Sequence, residues 1–206
     1  MTRLFLLRHG ETDFSHSRRY CGSLDISLNA HGHAQAELVA GSLKGKFFDA
    51  VYTSDLCRTV ETAQIVFPGV PVIQQSCFRE MTFGILEGLT YEEAVHQHLD
   101  IYQRWLEDPW EVSLPGAEIF EVFFRRVMEG LRAIVKANPG RSIALVSHGG
   151  PIRVILSQAL ERGFQEFWSI RQDTAALNVI DYHEGKPAEV RVINRVSPVN
   201  WEEAGL

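Results

Sequence analysis

The chain of 206 residues is poor in several things at once. It has three cysteines, Cys21, Cys57 and Cys77. They are odd in number, widely spaced and without a Cys-x-x-Cys pair, which argues against a disulfide framework or a thiolate zinc site. No apolar run approaches the roughly 20 residues that cross a bilayer, and the four apolar residues after Met1-Thr2-Arg3 are too few for a secretory signal. A cytoplasmic protein without a membrane partner is expected. A basic surplus is missing too: 20 Lys plus Arg face 26 Asp plus Glu, a net charge of -6. Nucleic-acid binders carry the opposite balance, so no nucleic-acid partner is expected. Lysine is scarce, for only Lys44, Lys46, Lys136 and Lys186 occur among the 20 basic residues, leaving 16 arginines. Clustered Asp, Glu and His of the kind that bind metals are also lacking. The pair His31/His33 has no carboxylates nearby and reads as solvated surface, as do His96 and His98, so neither metal nor cofactor is expected. With no repeat, linker or low-complexity tract, residues 1–206 read as one domain.

What is present is ordinary globular composition, 45% hydrophobic and 22% charged, in alternating strand and helix patterns. Leu4–Leu7, Ala50–Thr53, Val70–Ile73 and Ile143–Val146 are short apolar runs that suit buried parallel strands. Between them, Asn29 caps a helix through about Leu43, and Ser54 or Asp55 caps one through about Val66. Thr90 and Glu93 have capping-box spacing ahead of a helix with Ala94, Val95, Leu99, Tyr102 and Leu106 inward. The longest helix runs from about Ala117 to Ala137, with Ile119, Phe123, Val127, Leu131 and Ile134 as its inner stripe. Pro151 suits the first turn of a helix through Leu160. Leu177–Tyr182 and Val190–Asn194 form a closing hairpin, and the polar tail from Ser197 frays. The pattern predicts a three-layer α/β/α sandwich on a mostly parallel sheet of about six strands. Residues 83–116 lack a strand pattern and read as a helical insertion covering the site.

Two strands end in the same way, in Arg8-His9-Gly10 and in Ser147-His148-Gly149-Gly150. Ligands of open parallel sheets bind beyond the carboxyl ends of the strands, and glycine there permits a sharp turn and close approach. Leu7-Arg8-His9-Gly10-Glu11-Thr12 resembles the Arg-His-Gly signature of the histidine phosphatase superfamily, the phosphoglycerate mutase-like fold. The resemblance continues through Arg19–Gly22, Leu28-Asn29, Tyr52–Thr59, Phe78-Arg79-Glu80, Phe83-Gly84, Glu87-Gly88 and Ser147–Gly150, covering nearly the whole chain. It implies that His9 is the nucleophile, that Arg8, Arg58 and His148 surround the same phosphate, and that Glu80 is the proton donor. It also implies substrate contacts at Ser15, Cys21, Gly22 and Gly149. Ser15 stands where many relatives have asparagine, and Leu114–Ile119 departs from a Pro-Gly-Gly-Glu-Ser pattern.

The chemistry fits these residue types. A phosphomonoester carries about -1.5 to -2 charges, so a nucleophile can approach only when cations neutralise the oxygens. Two arginines and a second histidine supply that without a metal. An imidazole nitrogen then attacks phosphorus, and water hydrolyses the phosphohistidine. His9 needs one nitrogen free and the other held, by a carbonyl in the turn from Gly10 to Thr12. By sequence alone Glu80 reads more readily as a surface carboxylate paired with Arg79, and only its place in the family pattern makes it catalytic. The expected function is a metal-independent phosphomonoesterase acting on a small phosphorylated metabolite, as monomer or homodimer. Arg18–Gly22, Asp25–Leu28 and Asp108-Pro109-Trp110 are most similar to the alpha-ribazole phosphatase branch of cobalamin synthesis. Alternatives are a broad-specificity sugar or nucleotide phosphatase, a phosphoglycerate mutase, and a phosphate-binding module without turnover. Trp105, Trp110, Phe83 and Tyr91 read either as an aromatic substrate wall or as helix packing.

Overall fold

Alternation along the first strand decides the layers. In a computed structural model describing residues 1–162, 164–198 and 201, β1 spans Thr2–Arg8 at the centre of a six-stranded sheet. Its neighbours are β2 (Ala50–Thr53), β3 (Val72–Gln74), β4 (Ser142–Ser147), β5 (Leu177–Tyr182) and β6 (Glu189–Arg195), in the order β3-β2-β4-β1-β5-β6. β1 to β4 run parallel, and β5 and β6 close the edge as the expected hairpin, with β5 antiparallel to β1. Phe5 and Leu7 pack with Ala36 and Val39 of α2 (Ala30–Ser42) and Ala63 and Val66 of α3 (Cys57–Val66). Leu4 and Leu6 face the other layer, α4 (Tyr91–Glu107), α5 (Phe120–Ala137) and α6 (Gly149–Ala159). A one-turn α1 (Asp13–His16) precedes α2. This is the expected three-layer sandwich, and strands buried on both faces explain why the apolar runs are unbroken. The chain leaves β1 toward β2 and leaves β4 toward β5. The connections therefore part between the carboxyl ends of β1 and β4, where open sheets form a crevice.

Several boundaries differ from expectation, each for a local reason. The third strand is Val72–Gln74 rather than Val70–Ile73, since Pro71 has no N–H for a ladder. Neither Ser54 nor Asp55 caps α3. Ser54 is hydrogen-bonded to His148 and Thr59, Asp55 is gripped by Arg79, and the N–H of Cys57 is met instead by Asp25 from a distant loop. The long helix begins at Phe120, because Ala117 bridges to Phe83 and Glu118 donates its N–H to Thr82. Ile119 is consequently extended and exposed rather than inward. The Thr90–Glu93 capping box forms, but α4 kinks at His98, exposing Leu99 and leaving Trp105 to fill the core. Most of the tail expected to fray, residues 199, 200 and 202–206, lies outside the described residues. Trp201 packs edge-on against Phe5 and donates its indole N–H to the Ser42 carbonyl. No helix among the described residues is long and apolar enough to cross a membrane.

The closing hairpin is pinned by one enclosed carboxylate. Asp181 on β5 accepts from Arg3 on β1 at 2.7 and 2.8 Å and from Arg191 on β6 at 3.1 Å. Burial opposes its ionisation, yet the two arginines outweigh burial and hold its pKa below the ordinary value. Asp181→Asn strands the Arg3 guanidinium, while Arg191 keeps Glu189 at 2.6 Å, and should cost about 2 kcal/mol in urea unfolding, with an unchanged denaturant slope. A loss under about 0.5 kcal/mol would show that the ion pairs are incidental.

Candidate active site

Parallel pairing of β1 with β4 sets Arg8 opposite Ser147, so His9 and His148 leave the sheet side by side. Their ring centroids are 5.2 Å apart at 61°. His9 is buried and its Nδ1 lies 2.7 Å from the Gly10 carbonyl. A carbonyl can only accept, so Nδ1 carries the proton and Nε2 keeps a lone pair with no partner among the described residues. This is the arrangement the turn at Gly10–Thr12 was expected to impose. Burial first, then Arg58 and Arg8, push the imidazole well below its usual pKa, so it stays neutral.

His148 is the residue before α6, with both ring nitrogens engaged. Arg58 Nε can only donate, so Nδ1 accepts from it at 3.2 Å, and Nε2 donates to Ser54 Oγ at 2.7 Å. Ser54 Oγ in turn meets Thr59 Oγ1 at 2.7 Å. Burial, then Arg58, His9 and Arg8, hold His148 neutral as well. His148 thus stands behind the cleft, setting the direction of Arg58.

Arg8, His9, Ser15, Cys21, Arg58, Glu80 and Gly149 line one cleft of about 200 Å³, with Phe83 and Tyr20 among the other lining side chains. Arg58 is 1% exposed and donates to the carbonyls of Leu24 at 2.7 Å and Gly22 at 3.1 Å. Gly22 is not in the lining, since its N–H goes to Glu87. Ser15 is tied to Thr12 in a capping box, and the Cys21 thiol, raised in pKa mainly by burial, points to the Leu24 carbonyl. Arg8 reaches the Gln172 carbonyl through Nη1, while its Nε is buried without a partner. Burial and Arg153 push the pKa of Arg8 down to about 10. Glu80 accepts from the N–H groups of Met81 and Gly150, both at 2.9 Å. It is not paired with Arg79, which forms a two-pronged bridge to Asp55.

The glycines divide their duties. A Cβ at Gly150 would sit 2.1 Å from Glu80 Oε1, so this glycine makes room for the carboxylate. A Cβ at Gly10 would sit 2.5 Å from the Gly32 carbonyl of α2, so that glycine admits a helix and not a ligand. Of residues 83–116, only Phe83 is in the lining. The segment braces the wall from outside, with Leu89 and Gly88 bonded to Tyr20 and the Glu87 carboxylate holding the N–H groups of Gly22, Ser23 and Phe83. Trp105 is core, Trp110 packs on Phe120 and Phe124, and Tyr91 lies against Tyr102, so these three are packing rather than cleft wall.

Sequence reasoning missed Arg153, Arg18 and Arg19, all in the cleft lining. Arg153 had a readable signal, one helical turn after Gly149 on α6. It donates Nε to the Ile170 carbonyl, and burial lowers its pKa. Arg8, Arg58 and Arg153 all donate to carbonyls, and none of the three forms a carboxylate ion pair among the described residues. No group of three or more metal-ligating side chains occurs among the described residues.

A family model described as the histidine phosphatase superfamily (branch 1) matches residues 4–195. A Mycobacterium tuberculosis protein described as bifunctional is 34% identical over 197 residues, which make up 94% of this chain and 54% of that relative. The chain therefore spans about half the length of the first curated relatives it matches. Phosphoserine phosphatase 1 of Hydrogenobacter thermophilus is 31% identical over 186 residues, 89% of this chain and 88% of the relative. The solved alpha-ribazole phosphatase of Shigella flexneri matches with TM-score 0.84 and 29% identity, covering 94% of this chain and 96% of that one.

Two histidines held neutral make stability depend on pH. Their folded pKa values lie below 6.5, so the unfolded chain takes up protons first as pH falls. Their contribution is complete above about pH 6.5 and is lost below it, by up to about 1.4 kcal/mol per pH unit for each histidine. Urea unfolding between about pH 7.5 and about pH 5 in phosphate-free buffer should show this decline, roughly halved in His9→Asn. Unchanged stability across that window, or an undiminished slope in the variant, would contradict it.

Proposed function

The chain belongs to the histidine phosphatase superfamily, and from that premise we propose that it is a metal-independent phosphoric monoester hydrolase working through a phosphohistidine at His9. The observation that carries this reading is the set of desolvated guanidiniums without carboxylate partners around a neutral imidazole. A dianionic phosphoryl group answers that deficit, accepting from the free Arg8 Nε and from Arg58, with the N–H of Gly149 at the start of α6 adding its dipole. His9 Nε2 donates its lone pair to phosphorus as the ester P–O bond breaks. The leaving oxygen takes its proton from the Glu80 carboxyl and departs as an alcohol. Water then attacks the phosphohistidine and gives a proton to the Glu80 carboxylate, and P–N cleavage returns His9 and releases phosphate. His148 acts through Arg58, which it orients, and Ser15 and Cys21 shape the rim.

For the substrate, alpha-ribazole 5'-phosphate is the first reading, supported by the likeness to the Shigella enzyme. A second is a small phosphorylated carboxylate such as phosphoserine. It is supported by Arg18 and Arg153 in the cleft lining, by the small cleft volume and by the scarcity of aromatic lining, whereas Arg19 is taken by Glu93. Phosphate release from both compounds, 3-phosphoglycerate, sugar phosphates and nucleotides under equal conditions ranks them by kcat/KM.

His9→Ala should abolish turnover in a folded protein, and chelators should leave the wild type unaffected; residual activity in the variant or full loss with chelator rejects the mechanism. In kcat/KM, which stops at loss of the alcohol and excludes hydrolysis of the phosphohistidine, Glu80→Gln should slow alkyl phosphates by about 100-fold or more while affecting p-nitrophenyl phosphate far less, since nitrophenolate needs little protonation. Equal losses on both would remove Glu80 from the proton-donor role.

A further inference from the structure

Glu80 sits on a stretch with no ladder of its own. From Glu80 to Thr82 the chain is neither helix nor strand, and such a segment must find partners elsewhere for its carbonyls. Three carbonyls on its amino-terminal side converge on one side chain. Arg126 of α5 donates Nη1 to Cys77 at 2.8 Å and to Arg79 at 2.9 Å, and Nη2 to Glu80 itself at 3.1 Å. Its remaining donors, Nε and the second Nη2 hydrogen, go to the two oxygens of Glu118 at 2.6 and 2.7 Å. A guanidinium has five N–H groups, and here all five are used.

Glu118 completes the bracket from the other side, because its backbone N–H donates to the Thr82 carbonyl at 3.0 Å. The residues before and after Glu80 are thus tied to a single ion pair. Arg126 also rests over the Phe123 ring at 5.0 Å, which fixes its plane. Neither Arg126 nor Glu118 is in the cleft lining. A lysine at this position could not serve three carbonyls and a carboxylate together, because the forked, planar geometry does the work.

We propose that Arg126 and Glu118 are positioning residues for the proton donor. They fix the backbone from which the Glu80 carboxyl reaches the leaving oxygen, an inference that rests on the assignment of Glu80 to that role. A displacement of about 1 Å at a reacting group costs about 100-fold in rate. The loss falls on the step that needs the proton and not on phosphate binding, which Arg8 and Arg58 govern.

The test compares the wild type with Arg126→Met, Arg126→Lys, Glu118→Gln and Glu80→Gln on glycerol phosphate and p-nitrophenyl phosphate. Arg126→Met should lower kcat/KM for glycerol phosphate about 10- to 100-fold. It should change kcat/KM for p-nitrophenyl phosphate far less and leave competitive inhibition by inorganic phosphate nearly unchanged. Arg126→Lys should recover only a small part, and Glu118→Gln should show the same substrate split more weakly. Should Arg126→Met fail to fold, the other two clamp variants carry the comparison. Equal losses on both esters, or full activity in the clamp variants, would overturn the proposal. If Glu80→Gln itself shows no split, the donor assignment fails and the clamp with it. If Glu80→Gln splits the esters and the clamp variants do not, the clamp alone fails.

Discussion

Positive charge taken out of water without a carboxylate ion pair is the constraint around which this site is built. Arg58 is almost fully buried, Arg8 has a buried donor with no partner, and burial lowers the pKa of Arg153, yet all three spend their protein contacts on neutral acceptors, carbonyl oxygens and, for Arg58, the His148 ring as well. Carbonyls satisfy N–H groups and leave the net charge uncompensated. Elsewhere in the chain arginine behaves differently. Arg3, Arg79 and Arg126 close two-pronged bridges to Asp181, Asp55 and Glu118. The withheld carboxylates distinguish an anion site from a structural ion pair, more so than the number of arginines. Burial first, and then the same arginines, keep both histidines neutral, so the site that gathers positive charge also preserves a nucleophilic lone pair on His9.

The fold supplies this arrangement through connections more than through any single contact. Because β4 lies between β1 and β2, the two strand ends that carry histidine are adjacent although far apart in sequence. α6 then starts at Gly149, presenting its first N–H groups to the same crevice. Glu80 has no strand or helix to stand on and is reached by Gly150 on one side and the Arg126–Glu118 pair on the other. The acid overall charge of -6 is compatible with this, since surface charge is screened over about 8 Å while the arginines act at contact distance.

Much of this was legible in the chain. Short apolar runs located β1, β2 and β4, and the two strand-His-Gly junctions located the crevice, because these signals are local and short. The Thr90–Glu93 cap and the closing hairpin were legible for the same reason. What was not legible depended on partners distant in sequence. The cap of α3 comes from Asp25, the start of α5 is delayed by the bridge of Ala117 to Phe83, and the brace of the cleft wall is Glu87. Arg153 was within reach, one turn along α6, but its meaning depends on Ile170 and Glu80 being near it, which no spacing reveals. Gly150 carried a signal that reads fully only in retrospect: a second glycine was needed because a carboxylate occupies the place of its side chain.

The central claim is that a neutral His9 receives the phosphoryl group. Rapid quenching of the protein with substrate, followed by intact-mass and peptide mass spectrometry under alkaline conditions, tests it most directly. The account predicts an acid-labile phosphoryl group on His9 that forms and decays fast enough to support turnover. A turnover-competent enzyme with no phosphoprotein, or with the phosphoryl group on another residue, would contradict it.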